Sequence, residues 1–474
     1  MIRELMPVRV AFMAATLLPV ILFAQDSSNS TSLPQLATQQ TDDGKINCQA
    51  APQKVYRPDD RRPRHDNAKL AQAGIYLYES KRLKLYTDID KKIAASLPPV
   101  IDQLYDALEQ YFGSMLPDRA GTSFQMTGYL IHDLELFREL KLVPEQLNLQ
   151  HGQHVGNEFW MRDQTFDYYR RHLLIHEATH CFMTFPVPVG APVWYMEGMA
   201  EHFGTHRLNE NGQATFRVMP TTIDLFAGFD RITTVRDEIT AGKFQSIPSI
   251  EAFRARDFVT VPHYAWSWAL CAFLDGTPRY RERFQKLGGS LEGSQFESKF
   301  RELFAADLSH MTTEWTLFAN NLQFGYDLPR AAIDFRDGTP LSENDADRSV
   351  QIKADRGWQS SRVKLESGQR YEVLATGRFT LANRPKPWIS EPQGVSIQYF
   401  DRRPLGMLVG AIQADETPAE GADESMRTTI SISRGSKFKA SQTGTLYLRL
   451  NDAWNSLADN QGQVDVTVRR LKSP

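Results

Sequence analysis

The chain has 474 residues, 41% hydrophobic and 23% charged. That is the makeup of an ordinary globular protein with room for roughly two to four domains. A formal net charge of −3 excludes a broad electrostatic attraction to nucleic acid, and the short basic cluster Arg61-Arg62-Pro63-Arg64 reads as solvated loop. Cys48, Cys181 and Cys271 are the only cysteines, which excludes a disulfide scaffold and leaves at most one bridge.

The N-terminal stretch MIRELMPVRVAFMAATLLPVILFA places Arg3 and Arg9 ahead of an apolar run from Val10 to Phe23, with Ala24 a small residue suited to cleavage. The run is short for a bilayer span. Residues 1–24 are therefore expected to be a removed signal peptide, leaving a secreted or periplasmic chain with no membrane span, with an uncleaved N-terminal anchor as the alternative. Residues 25–73 are expected to be a flexible leader, beginning with a Ser-, Thr-, Gln- and Asp-rich tract that contains Cys48.

From Gly74, GIYLYESKRLKLYTDI alternates apolar and polar residues like a hairpin. IAASLPPVIDQLYDALEQYFG then carries apolar residues at helical spacing, with Gly113 as a stop, and SFQMTGYLIHD reads as a further strand. From about Phe166 to Tyr326 the pattern is mostly helical, with Cys181 and Cys271 as buried small hydrophobes. Residues 74–327 are thus expected to form an α+β domain, strand-rich at its start and helical at its end. Residues 328–347 break the periodicity and read as a linker. Residues 348–474 carry short alternating runs separated by Gly, Asn and Asp, the pattern of an all-β sandwich, so the chain is expected to be multidomain.

The helical region contains HEATH. Residues four apart share a helix face, so His176 and His180 can reach one metal ion together. Glu177 can then project toward the open side of that ion, where a carboxylate can take a proton from activated water. The flanking Leu173, Leu174, Ile175, Ala178 and Phe182 bury this helix, and buried histidines need partners. The next helix, VWYMEGMAEHF, sets Glu197 and Glu201 one turn apart among Trp194, Met196, Met199 and Phe203. Two carboxylates buried together call for a cation. Two histidines and Glu197 make three protein ligands with one position open, the pattern of a catalytic zinc site.

HEATH followed by WYMEGMAEHF resembles the gluzincin metallopeptidases, in particular exported bacterial proteins with a W-x-x-E-G-x-A-E helix. The resemblance spans roughly Gly74 to Asn321. It implies a zinc metallopeptidase with His176, His180 and Glu197 as ligands, Glu177 as general base and Glu201 orienting a ligand histidine. It further implies a downstream Tyr or His that bonds the oxyanion; Tyr264 is the expected residue, with His263 a rival and a plain core role for Tyr264 as the alternative.

Residues 348–471 resemble the calcium-dependent galactose-binding bacterial lectins and related accessory domains, on GWQSSRVKLESGQRYEVLATGRF and GTLYLRLNDAWNSLADNQGQVDVTV. The resemblance implies calcium held by Asp452, Ser456, Asp459 and Asn460, with Asp459 standing where the family has Asn. The loop's oxygen-rich side chains suit calcium, and they equally suit an Asx-rich turn between strands.

The expected activity is zinc-dependent hydrolysis of a peptide, protein or glycoprotein, with the sandwich binding a carbohydrate or surface. Two alternatives stand beside it: a non-catalytic exported carbohydrate-binding protein, and a zinc amidohydrolase acting on a cell-wall component.

Overall fold

The computed structural model describes residues 56–184, 191–288, 295–383, 386–415 and 423–472. The expected signal peptide, Cys48 and the leader up to residue 55 lie outside the described residues. The chain is multidomain and mixed α and β, with strands at both ends and helices between.

Packing begins before Gly74. Asp66 caps α1 (Asn67–Gln72) through the amides of Ala68 and Lys69, and Leu70 is buried against the first sheet. Ahead of it, the buried Asn157 side chain grips the backbone of Arg61, accepting from its N–H at 3.0 Å and donating to its carbonyl at 2.9 Å. Residues 57–73 are thus docked, which corrects the leader expected to run to residue 73. A six-residue helix and side-chain-to-backbone clamps leave no periodicity to read.

β1 (Tyr76–Glu79) and β2 (Leu83–Thr87) form the expected hairpin. After α2 (Lys91–Ser96) and α3 (Pro98–Phe112), β3 (Met126–Ile131) returns parallel to β2. α4 (Leu134–Glu139) leads to a second hairpin of β4 (Gly152–Val155) and β5 (Glu158–Arg162), turning on Gly156 with φ of 62°. The sheet order is β1-β2-β3-β5-β4, which leaves β4 as an edge. Every β3 residue is buried because both faces are covered, by α3 and α5 on one side and by the Tyr86, Tyr129, Trp160 and Phe137 cluster on the other.

α5 (Asp167–Thr184), α6 (Val193–Gly204) and α9 (Val261–Gly276) form the centre of the helical body. A small ribbon, β6 (His206–Leu208) with β7 (Ala214–Phe216), interrupts the expected helical run, followed by α7 (Arg231–Thr240) and α8 (Ile247–Glu251). α10 (Pro278–Gly288), α11 (Phe296–Phe304) and α12 (Leu308–Asn321) close the body. Gly198 sets the α6–α9 approach: a Cβ there would lie 2.6 Å from both Cys271 Sγ and Ser267 O.

Residues 328–347 are not a free linker. α13 (Leu328–Ala331) opens the segment, Ile333 and Leu341 are buried, and β8 (Thr339–Pro340) pairs parallel with β10 (Gln359–Leu365). Apolar residues spaced without helical or strand period hid this packing from the sequence. Between β8 and β10 lies β9 (Arg348–Lys353), and β11 (Arg370–Thr376), β12 (Phe379–Ala382), β13 (Trp388–Ser390) and β14 (Gln393–Phe400) follow. The last strands are β15 (Arg403–Ala414), β16 (Ile430–Ser431), β17 (Gly435–Lys439), β18 (Gly444–Leu450) and β19 (Gln461–Arg470). They form two sheets, β14-β15-β18-β10-β8 and β13-β12-β19-β11-β17, with β16 added to β15 and β9 to β19. Between them Val363, Leu365, Val373, Leu446, Leu448, Val464, Val466 and Val468 make one core. No helix of the described residues is long and apolar enough to cross a membrane.

Candidate metal centre and its cleft

α5 is buried on nearly every side, with fourteen of its eighteen residues inside, so it runs through the interior and its polar side chains must find partners there. His176 and His180 project one turn apart toward α6. Pro192 starts α6 and directs Glu197 and Glu201 back at them. Gly204 at the end of α6 lets the two helices close together: a Cβ there would lie 2.6 Å from His172 Cε1 on α5.

Three potential ligand atoms converge. His176 Nε2 lies 3.0 Å from His180 Nε2, His180 Nε2 lies 3.1 Å from Glu197 Oε2, and His176 Nε2 lies 3.4 Å from the same oxygen. Metal–ligand bonds of about 2.0 Å in a tetrahedron place neighbouring ligand atoms about 3.3 Å apart. The three atoms therefore match one face of such a tetrahedron, and the residues fit a divalent metal such as zinc. Without a metal, burial disfavours a charge on His176, yet Glu197 and Glu201 outweigh it and raise its pKa to about 10. Burial likewise opposes ionisation of Glu197, but His180 and His176 hold its carboxyl well below the usual range.

A second grouping, His172, His176 and Glu201, has ligand atoms nearly as close. Its charge is already compensated. Buried Arg231 donates to Glu201 Oε2 from Nε at 3.1 Å and to Oε1 from a terminal nitrogen at 2.9 Å. Despite burial, Arg231 and His172 keep Glu201 ionised, well below the ordinary carboxylate value. Glu201 Oε1 also lies 3.4 Å from His176 Nδ1, the atom facing away from the proposed metal. Glu201 is thus positioned to orient His176, and Arg231 is positioned to hold Glu201.

Glu177 faces the cleft, 4% exposed. Burial lifts its carboxyl to about 7, against the opposing pull of His176 and His180. Its neighbour across the cleft is β4: a Cβ on Gly152 would fall 2.8 Å from Glu177 Cδ. His154, also on β4, stacks on His180 with centroids 4.7 Å apart, and its Nδ1 is 3.9 Å from Glu177 Oε2. His154, Gly152 and Arg231 are not among the residues that the motif pattern picks out. None belongs to the two motif helices, so helical spacing carried no signal of them.

The cleft is a cavity of about 650 Å³, lined by His176, Glu177, His180 and Glu197 and also by Arg61, His65, Gln146, Asn148 and Gln150. Tyr264 lies on its wall with its ring centroid 6.3 Å from that of His176. Its hydroxyl donates to the Phe258 carbonyl at 3.2 Å, and burial together with Glu197 keeps it protonated. His263 does not line the cavity and pairs with Thr260 Oγ1 at 3.0 Å.

The expected calcium residues are brought together only in part. Asp452 and Asn460 are buried, and Asn460 Nδ2 donates to Asp452 Oδ2 at 2.9 Å. Asn460 Oδ1 is buried without a partner, and burial raises the Asp452 carboxyl, with Asp459 adding to the effect. Ser456 instead donates to Asn455 Oδ1 at 3.3 Å, and Asp459 is exposed. The rest of the loop binds the helical body: Trp454 stacks on Tyr326 at 5.7 Å and accepts from the Asp327 N–H at 3.0 Å, while Asn455 donates to the Phe324 carbonyl.

No family model and no curated protein matches the chain. Among solved structures it is similar to the "EclA N-terminal domain; PllA-like lectin", at 20% identity over 26% of this chain and 94% of that one, with a TM-score of 0.20. It is also similar to PliG of Aeromonas hydrophila, a periplasmic inhibitor of g-type lysozyme, at 10% identity over 29% of this chain and 96% of that one, with a TM-score of 0.16.

Proposed function

We propose that the chain is an exported, zinc-dependent peptidase of gluzincin type. The observation that carries this reading is the triangle of His176, His180 and Glu197 ligand atoms, with Glu177 lining the same cavity. A zinc ion held there supplies Lewis acidity that polarises a carbonyl and acidifies water. Glu177 would take the proton of the attacking water and pass it to the leaving amine, and its burial, which raises its carboxyl, makes it a better proton acceptor than an exposed glutamate. The free edge of β4 offers backbone groups for an extended substrate strand beside Glu177. Tyr264 reaches an oxyanion only by exchanging its bond to the Phe258 carbonyl.

A second reading, hydrolysis of an amide in a cell-wall component, is favoured by Gln146, Asn148 and Gln150 in the cleft lining, which offer repeated amide contacts to hydroxyl-rich groups. The sandwich is assigned by resemblance a carbohydrate- or surface-binding role. Calcium at its loop is supported by the unpartnered Asn460 Oδ1 beside Asp452.

The test is metal content by mass spectrometry on the chain lacking residues 1–24, beside Glu177→Gln and His180→Ala. One zinc per chain, kept in the first variant and lost in the second, with peptide cleavage lost in both, is the expected result. Zinc-free protein after supplementation refutes the reading.

A further inference from the structure

A second cavity, of about 700 Å³, lies in the sandwich among β9, β10, β19 and residues 332–336. None of Asp452, Ser456, Asp459 or Asn460 lines it. Four cations do: Arg336, Lys353, Arg356 and Arg362, against the two carboxylates of Asp334 and Asp465. Asp334 pairs with Arg336 at 3.0 Å, Arg356 pairs with Asp355 at 3.8 Å, and Asp465 accepts from Gln351. Lys353 and Arg362 form no ion pair among the described residues. A local positive excess therefore sits on a chain whose net charge is −3.

The backbone marks the same place. β10 is bulged between Ser360 and Lys364, and Arg362 within the bulge has φ of 59°, a left-handed conformation that a bulky side chain rarely adopts. Ser360 Oγ fixes it, donating to the Arg336 carbonyl at 2.6 Å and accepting from the Arg362 N–H at 3.0 Å. The bulge presents Arg362 to the cavity in an exposed position instead of leaving it in the strand register. Strain held at a cavity wall by an unpaired arginine points to a ligand.

We infer that this groove binds an acidic polysaccharide through its carboxylate or sulfate groups, without calcium. The lining carries no aromatic side chain, so it lacks the stacking platforms that single-stranded nucleic acid uses. It also lacks the large apolar or aromatic anchors of a protein-binding hot spot. What it offers beside the cations are amides and hydroxyls, among them Gln351, Gln463, Ser349 and Thr467, which suit sugar hydroxyls. Arginine pairs with carboxylates and sulfates by two parallel hydrogen bonds. The inference stands independently of the zinc centre.

The probe is an oligogalacturonate titrated calorimetrically into the full chain in EDTA-containing buffer, beside its methyl-esterified, uncharged form. Arg362→Gly and Lys353→Gln are the variants. Glycine suits the left-handed backbone, so Arg362→Gly should fold at least as stably as the parent. Expected are binding of the acid and none of the ester, with affinity falling about tenfold in each variant. The assignment is overturned if the parent does not bind, if the ester binds equally, or if neither variant weakens binding. Binding abolished by EDTA, or tighter binding of a single-stranded oligonucleotide of matched charge, overturns it as well.

Discussion

Gly152→Ala probes the cleft without touching a metal ligand. Gly152 lies outside the left-handed region, so alanine fits its backbone, and the whole effect comes from the added Cβ. That atom would fall 2.8 Å from Glu177 Cδ, where carbon atoms prefer about 3.5–4.0 Å. Because β4 is fixed by its pairing to β5, the Glu177 side chain must retreat by about 1 Å. A carboxylate at the end of a flexible side chain moves at little cost in stability. Proton transfer in the reaction is far less tolerant, and a misplacement of about 1 Å costs on the order of a hundredfold in rate. The variant should keep its zinc and its denaturation midpoint while losing about two orders of magnitude in turnover of a peptide substrate. Full turnover in Gly152→Ala, alongside an inactive Glu177→Gln, would refute the placement of Glu177 against β4.

Two further predictions concern the interior. Arg231→Met leaves the Glu201 carboxylate buried without its main counter-charge, and the expected loss is about 3–5 kcal/mol in chemical denaturation with weaker zinc retention against a chelator; an unchanged midpoint refutes the pairing. Glu314 is buried, accepting from the Tyr280 hydroxyl at 2.5 Å and the Ile333 N–H at 2.7 Å, and burial raises its carboxyl to about 7. The folded chain therefore keeps a proton that the unfolded chain releases near 4.5, so stability falls as pH rises from about 4.5 to about 7, by about 3 kcal/mol in all. Glu314→Gln should flatten that slope in denaturant titrations across the window; an identical slope in both proteins refutes it.

Much of the site could be read from the chain because a helix converts spacing into facing. His176, Glu177 and His180 needed only the 3.6-residue turn, and Glu197 needed only a second buried helix with an acid on its inner side. Arg231, Gly152 and His154 reach the same place from α7 and an edge strand, and tertiary packing alone brings them there. The first hairpin was legible in its alternation, whereas β4 and β5 are short and turn on an unremarked Gly-Asn pair. The leader and the linker failed for one reason. Arg57, Leu70, Ile333 and Leu341 are buried singly, and a buried residue without periodic neighbours looks like loop.

The Trp454 loop bears on how the chain can be divided. Trp358, Met426, Tyr447 and Trp454 of the sandwich belong to the same apolar cluster as Trp315, Phe318 and Tyr326 of the helical body. The buried Asp423 carboxylate accepts from Thr313 across the same seam. Cutting the chain near residue 327 would lay these aromatic surfaces open to water on both fragments and unmake a shared interior. The two halves therefore share one interior, and what the sandwich contributes is best learned from point changes on its outer strands, not from its deletion.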